Sequence, residues 1–240
     1  VVEKIAGRNS VLEAAKVYGS SIDNIFIAAG SSGDRLEEIR RLAGKKSITC
    51  QEISKNELDR MVSKNQGVVA VIEKLQTLGF NELLARPSNG PYRRLILLDQ
   101  VQDPVNLGKI MRTALFFGVD GIIKTSHATA PLSSTVIKVS AGAAVRMPVA
   151  KVTNLRRAIE KLKEERFWIA GAVMDGNCRP EEVDTERHLA FIVGHEGKGL
   201  RRLTRENCDY LVTIPGSGKF DSLNVGVAAG ILTYLFQPDV

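Results

Sequence analysis

An α/β fold, with a mostly parallel sheet and helices on both faces, is what this 240-residue sequence predicts. Three observations carry the prediction. Short apolar runs alternate with amphipathic segments of helical length along the whole chain. Several runs, such as RLILLDQV (94–101), FWIAGAVM (167–174) and LAFIVG (189–194), are apolar on both faces, as central parallel strands must be. A Pro-Ser-Asn-Gly-Pro cluster at 87–91 interrupts the alternation and marks a loop between two regimes. The expected organisation is a small α/β domain over 1–74, a linker over 75–92 and a larger α/β domain over 93–240.

In the first regime, GRNSVLEAAKVYG (7–19) places Val11, Leu12 and Ala15 at helical spacing and stops at Gly19. IDNIFIAAG (22–30) reads as a strand. GDRLEEIRRLAG (33–44) reads as a helix capped by Asp34, with Leu36, Ile39 and Leu42 turned inward. SITCQEI is a strand. SKNELDRMVS is a short helix opened by a Ser54–Glu57 capping box, and GVVAVIE is a buried strand.

In the second regime, the strand at 94–101 leads into NLGKIMRTALFFG, where Leu107, Ile110, Met111, Ala114 and Leu115 form one apolar face ended by Gly118. VDGIIKT is a strand, and LSSTVIKVSAGAA a helix rich in small residues. TNLRRAIEKLKEER (153–166) is an amphipathic helix capped by Thr153 or Asn154. Three more strands follow, the last being DYLVTIP, and SLNVGVAAGILTYLF closes the chain as a helix.

Composition excludes several classes. No run approaches the roughly 18 apolar residues of a membrane span, and the first ten residues lack the apolar core of a secretion signal. Cys50, Cys178 and Cys208 are far apart, and His127, His188 and His195 lack metal-ligand spacing, so neither a disulfide framework nor a metal site is expected. A reducing cytoplasm fits. The net charge of +6 points to a polyanionic partner, most simply nucleic acid.

The stretch IPGSGKFDSLNVGVAAG (214–230) has the outline of a phosphate loop: a strand end, two glycines, a lysine, and a helix opened by Asp221 and Ser222. The chemistry fails. A P-loop lysine is followed by Ser or Thr, which holds magnesium, and here Phe220 follows Lys219. The position five before Gly218 is Thr213 rather than glycine. Two other segments also sit at predicted strand ends: DPVNLGKIMRTA (103–114) and GHEGKGLRRLTRENC (194–208). In open α/β sheets ligands bind outside the carboxyl ends of strands, so the three segments are expected to converge on one pocket.

Together these segments resemble the three motifs of the SPOUT RNA 2′-O-ribose methyltransferases of the TrmH-like branch. The resemblance extends to GRNSVLEAAK and NQGVVAVIE, which look like the start and end of that branch's small N-terminal RNA-binding domain, with a fold like ribosomal protein L30e. It is nearest to the bacterial 23S rRNA guanosine 2′-O-methyltransferase group. The resemblance implies a C-terminal trefoil knot, S-adenosylmethionine as methyl donor, an RNA ribose 2′-hydroxyl as acceptor, and a homodimer formed through the knotted domain. A guanosine in 23S rRNA is the implied target. A tRNA methyltransferase, or a non-catalytic RNA-binding protein of the same fold, are the alternatives. The chain departs from the pattern at Gly216, where relatives have Met, at Gly226, where Ser is common, and at His195, a variable position.

The resemblance also implies roles. Asn106, Arg112, Glu196, Ser222 and Asn224 are the expected catalytic set; Gly194, Ile214 and Leu223 are expected to hold the cofactor. Arginine stays protonated in proteins, so Arg112 is expected to hold RNA phosphate and stabilise a forming alkoxide rather than act as a base. From residue type alone, Asn106 and Ser222 also suit helix caps, and Ile214 and Leu223 suit a core. Arg8, Arg146, Lys198, Arg201 and Arg202 are candidate phosphate contacts. Few aromatics (5%) argue for recognition of RNA shape over a broad stacking platform.

Overall fold

The computed structural model describes residues 3–72, 75–218 and 222–237. Contacts divide the chain into two compact units, Val1–Gln76 with Leu132–Arg146, and Thr77–Pro131 with Met147–Val240.

The first unit begins β1 (Glu3–Ala6), α1 (Arg8–Tyr18), β2 (Ile22–Ala28), α2 (Asp34–Lys45), β3 (Cys50–Ile53), α3 (Lys55–Met61) and β4 (Val68–Ile72). Its sheet order is β1-β4-β2-β3. β4 pairs antiparallel with both β1 and β2, while β2 and β3 run parallel. β1 has no sequence signal of its own; four residues become a strand because β4 offers a partner from Glu3↔Ile72 to Ala6↔Val69. The capping box forms as expected, with Glu57 N donating to Ser54 Oγ and Ser54 N donating to Glu57. Asp34 is not a cap. Gly33 occupies the cap position and Asp34 is the first helical residue, where its charge still suits the helix N-terminus.

In the second unit, α4 (Phe80–Ala85), β5 (Arg94–Leu98), α5 (Pro104–Phe116) and β6 (Gly121–Thr125) come first. The expected single helix over LSSTVIKVSAGAA is broken into α6 (Ser134–Val139) and α7 (Ala143–Arg146), both in the first unit. The break falls at Ala141 and Gly142, both with positive φ (52° and 92°). A Cβ on Gly142 would stand 3.0 Å from Glu13 Cβ and 3.2 Å from Ser10 Cα, so close packing on α1 sets the break. The second unit resumes with β7 (Val149–Val152), α8 (Leu155–Glu164), β8 (Trp168–Ala172), β9 (Leu189–Val193), α9 (Arg202–Arg205), β10 (Tyr210–Val212) and α10 (Val225–Leu235). Asn154 caps α8 through a bond from Arg157 N, which decides between Thr153 and Asn154.

The six-stranded sheet has the order β10-β8-β9-β5-β6-β7, all parallel. From β5 the chain steps outward to β6 and β7, then restarts on the other side so that β9 lies beside β5. The β5/β9 junction is therefore the topological switch point, where a crevice opens at the carboxyl ends. One face of the sheet packs Leu95, Leu97, Ile123, Ala190 and Ile192 against Leu155, Ile159 and Leu162 of α8 and Leu83 of α4. α5 and α10 pack against each other, and Phe191 of β9 meets Phe236 edge-on at 5.5 Å. Each fully buried Leu or Ile of this core is worth about 2 kcal/mol of hydrophobic stabilisation.

At the amino end of the sheet, Arg94 is 4% exposed. Its Nε donates to Phe236 O at 2.7 Å, its Nη1 to Arg187 O at 2.6 Å and its Nη2 to Thr185 O. Burial pulls its pKa down, with the nearby Asp120 carboxylate opposing that shift. The three cysteines are free. Among the described residues no helix is long and apolar enough to cross a membrane.

Candidate active site

The crevice at the switch point is built from the turn after β5, the hairpin after β9 and the residues before α10. Asp99 ends the β5 run, and Gln100 follows in a left-handed conformation (φ 68°) that swings the chain out of the sheet. α5 then starts at Pro104, with Asp103 Oδ1 accepting from Val105 N at 3.0 Å. The cap is thus Asp103. Asn106 is the third helical residue, 2% exposed, and its side chain is free for other partners.

After β9 the chain makes a tight hairpin. His195 N donates to Gly199 O at 3.0 Å and Gly199 N to His195 O at 2.9 Å. A Cβ on Gly194 would come within 2.4 Å of the Gly199 carbonyl, so only glycine permits this approach. The hairpin tip carries Glu196. Asn106 Nδ2 donates to Glu196 Oε1, and Asn224 Nδ2 donates to the same oxygen at 2.9 Å and to Asn106 Oδ1 at 3.0 Å. Asn224 Oδ1 in turn accepts from Gly226 N at 3.0 Å and caps α10. Three residues 90 and 28 positions apart from one another in sequence are therefore one hydrogen-bonded unit. Among the described residues, Glu196 Oε2 accepts no hydrogen bond.

Ser222, suited by type to a cap, does not serve as one: the helix starts at Val225 and Asn224 caps it. Asp221 and Lys219 lie outside the described residues. Ser222 is exposed, two residues before the cap. Arg112 is exposed on the outer side of α5 and makes no hydrogen bond or ion pair with any described residue. Six residues along a helix is about 600° of rotation, so Arg112 points roughly 120° away from Asn106. Gly194 is buried, Ile214 is part-buried just beyond β10, and Leu223 is 50% exposed. Four of the five candidate phosphate contacts already hold partners: Arg8 on Gln66 O, Arg146 on Glu13, Arg201 on Asp99 and Arg202 on Glu206. Lys198, at the hairpin tip, has none among the described residues.

Two features escaped sequence reasoning. Asp99 is fully buried at the strand end and bonded to Arg201; an acid closing an apolar run was its only signal. The buried Nδ1 of His195 has no hydrogen-bond partner among the described residues, and His195 lines a small cleft with Val101, Asp103, Asn106, Glu196 and Val225.

Comparison with known proteins fits this geometry. The SpoU rRNA Methylase family matches residues 93–234, and the domain described as RNA 2′-O ribose methyltransferase substrate binding matches residues 4–78. A protein of Bacillus subtilis (strain 168), provisionally named as a TrmH family tRNA/rRNA methyltransferase, is 37% identical over 234 residues, covering 96% of this chain and 93% of that one. Among solved structures, the SpoU methyltransferase AviRb from Streptomyces viridochromogenes superposes with a TM-score of 0.82 at 22% identity, covering 98% of this chain and 88% of that one. An AdoMet-bound rRNA methyltransferase from Sinorhizobium meliloti gives 0.79 at 21% identity, covering 98% and 86%. At these identities the two structures speak to fold alone, and the fold is that of the SpoU methyltransferases, with its C-terminal trefoil knot. Matched over both its parts and along nearly all its length, the chain belongs to the SpoU rRNA methylase family.

Proposed function

We propose that this chain transfers a methyl group from S-adenosylmethionine to a ribose 2′-hydroxyl of ribosomal RNA, with a guanosine of 23S rRNA as the target, and that it works as a cytoplasmic homodimer. The observation that carries the reading is the Asn106–Glu196–Asn224 network at the switch point, with Arg112, unpaired among the described residues, on the same helix as Asn106. Residues 4–78 match a substrate-binding domain, which supports an RNA target large enough to need one.

The residues present fit the cofactor. Among the described residues nothing lies within 4 Å of the Cβ positions of Gly216 and Gly218, so their backbone is open to close approach by a ligand. Leu223, an apolar side chain left 50% exposed, and Ile214 suit the two faces of an adenine ring. Gly194 holds the hairpin that would border it. When bound, S-adenosylmethionine supplies an activated methyl on a sulfonium, whose departure is neutral and needs no metal.

The chain's own residues position and stabilise. Glu196 is held by two carboxamide donors on one oxygen, leaving the other to accept from a nucleoside hydroxyl. Arg112 binds RNA phosphate and stabilises negative charge as the 2′-oxygen takes the methyl and releases its proton to solvent water. Ser222, exposed just before α10, is assigned to the same pocket, and Lys198 at the hairpin tip is a cation with no partner among the described residues.

The homodimer reading rests on an exposed apolar face. Five of the eight exposed large apolar side chains among the described residues are Val105, Phe116, Leu223, Val227 and Tyr234, on α5, on α10 or just before it. Phe116 is 81% exposed and stacks edge-on with Phe117 at 5.0 Å, which in turn meets Tyr234 at 5.8 Å. A patch of this kind marks an interface, and a two-fold pairing would bring Arg112 of each α5 to the boundary between copies.

The test is transfer of labelled methyl from S-adenosylmethionine to purified rRNA and, separately, tRNA from a strain lacking the gene, followed by mapping of the modified nucleotide. A 2′-O-methylguanosine in 23S rRNA is expected. Methylation of tRNA alone would replace the rRNA reading, and cofactor binding with no incorporation into either would point to a non-catalytic RNA-binding protein. Light scattering of the full chain is expected to give twice the monomer mass; a monomer would remove the dimer.

A further inference from the structure

We propose that Asp99 is a positioning residue: it clamps both stems of the 194–199 hairpin and so places Glu196 against Asn106 and Asn224. The proposal rests on the reading of Glu196 as part of the catalytic site. Asp99 is 0% exposed and sits at the carboxyl end of β5. On the entry side of the hairpin, its backbone N donates to Val193 O at 2.9 Å, extending the β5/β9 ladder by one residue. On the exit side, its carboxylate takes two bonds from Arg201: Oδ2 from the backbone N at 3.0 Å and Oδ1 from Nε at 2.6 Å.

The two exit bonds come from one residue, one from its main chain and one from its side chain. That chelate fixes the path of the backbone as it leaves the hairpin, which a side-chain ion pair alone would not do. The hairpin between the stems is closed by the reciprocal His195–Gly199 bonds and by the glycine-only approach of Gly194 to Gly199. Its tip therefore moves as a rigid piece with its stems. Asp99 also lies seven residues before Asn106, on the segment that turns from β5 into α5. One buried carboxylate thus ties the support of Glu196 to the support of Asn106, the two groups that must meet. A buried carboxylate is held strongly to its partners, because losing either leaves one oxygen with neither solvent nor donor.

Arg201 has a second possible use. Its side chain is 47% exposed and its Nη groups have no described partner, so an RNA phosphate could reach them. The test separates the two roles. Full-length Asp99→Asn, Arg201→Ala, Arg201→Lys and the Asp99→Asn/Arg201→Ala double variant are compared by backbone hydrogen exchange, by S-adenosylmethionine binding, and by kcat and KM on the rRNA used above. The clamp predicts faster exchange confined to 194–201, a fall in kcat of about tenfold to a hundredfold, an unchanged RNA KM, and a double variant no worse than the worse single one. Arg201→Lys, which lacks the Nε–H that reaches Asp99 Oδ1, is expected to behave like Arg201→Ala. Unchanged exchange at 194–201 would overturn the clamp. So would a rise in RNA KM with kcat intact, which would make Arg201 a phosphate contact. If Asp99→Asn fails to fold, the exposed Arg201 variants still decide the matter. Glu196→Gln is run alongside: wild-type turnover in that variant would sink the catalytic reading of Glu196 while leaving the exchange result to judge the clamp.

Discussion

Arg94 and Arg112 are only 18 residues apart by number and belong to consecutive elements, yet the fold treats them in opposite ways. Arg94, at the amino end of the sheet, is 4% exposed and gives its side-chain donors to the carbonyls of Phe236, Arg187, Thr185 and Arg93. Arg112, on α5, is exposed and gives its donors to no described residue. α10 links the two ends. Its last turn is closed by Arg94 at Phe236 O, a favourable place for a cation, and its first turn is capped by Asn224, whose amide bonds Asn106 and Glu196. A saturated arginine holds the fold, and an unsaturated one is available to a ligand. Burial and partner count, not residue type, distinguish them.

Breaking the open end should have the largest effect. Arg112→Ala is expected to lower methyl transfer about a thousandfold while S-adenosylmethionine affinity and thermal stability hold; normal turnover would end the assignment. Breaking the saturated end should show the converse. Arg94→Met leaves the carbonyls of Phe236, Arg187, Thr185 and Arg93 without their guanidinium donor, so chemical denaturation should report a loss of about 3 kcal/mol. The activity of the molecules that remain folded should be nearly normal, and a stability loss below about 0.5 kcal/mol would show that Arg94 is not structural.

Smaller effects sharpen the contrast. Gly194→Ala drives a Cβ into the Gly199 carbonyl at 2.4 Å, so the hairpin must shift. S-adenosylmethionine binding, read by calorimetry, should weaken about tenfold, as overpacking by one methyl costs about 1–3 kcal/mol. Gly230 lies on α10 between the two ends, and its Cβ would meet only Thr113 Cγ2, at an ordinary 3.6 Å. Gly230→Ala should therefore raise stability by about 0.5 kcal/mol through helix propensity, measured as a shift in the denaturation midpoint. A loss there would reveal tighter packing between α5 and α10 than that spacing allows.

The legible part of the fold was periodic. The 3.6-residue pattern located α5, where Leu107, Ile110, Met111 and Ala114 are indeed buried, and the doubly apolar runs located β5, β8 and β9. The capping box at Ser54 was legible because its two residues are three apart. What escaped was non-local. β1 is a strand only through β4, the break between α6 and α7 comes from the approach of α1 to Gly142, and the caps fell to Asp103 and Asn224 where Asn106 and Ser222 also had the right side chains. At the site, the three motifs were visible as segments expected to converge on one pocket, and the hydrogen bonds that join Asn106, Glu196 and Asn224 were not.

By itself the sequence determined the alternation of elements, the basic balance, the failure of the P-loop chemistry at Phe220, and the residue types gathered at three strand ends. These depend on nearest neighbours along the chain. Tertiary structure alone decided that β9 lies beside β5, that Asn106, Glu196 and Asn224 share one carboxylate oxygen, and that Asp99 holds the hairpin between them. Apart from Glu196–Asn224, those hydrogen bonds join residues 90 to 118 positions apart, and closing such a loop depends on the summed burial of the whole sheet rather than on any local preference. The same physics separates the two arginines: each carries the same charge, and only the fold determines which one still has donors to offer.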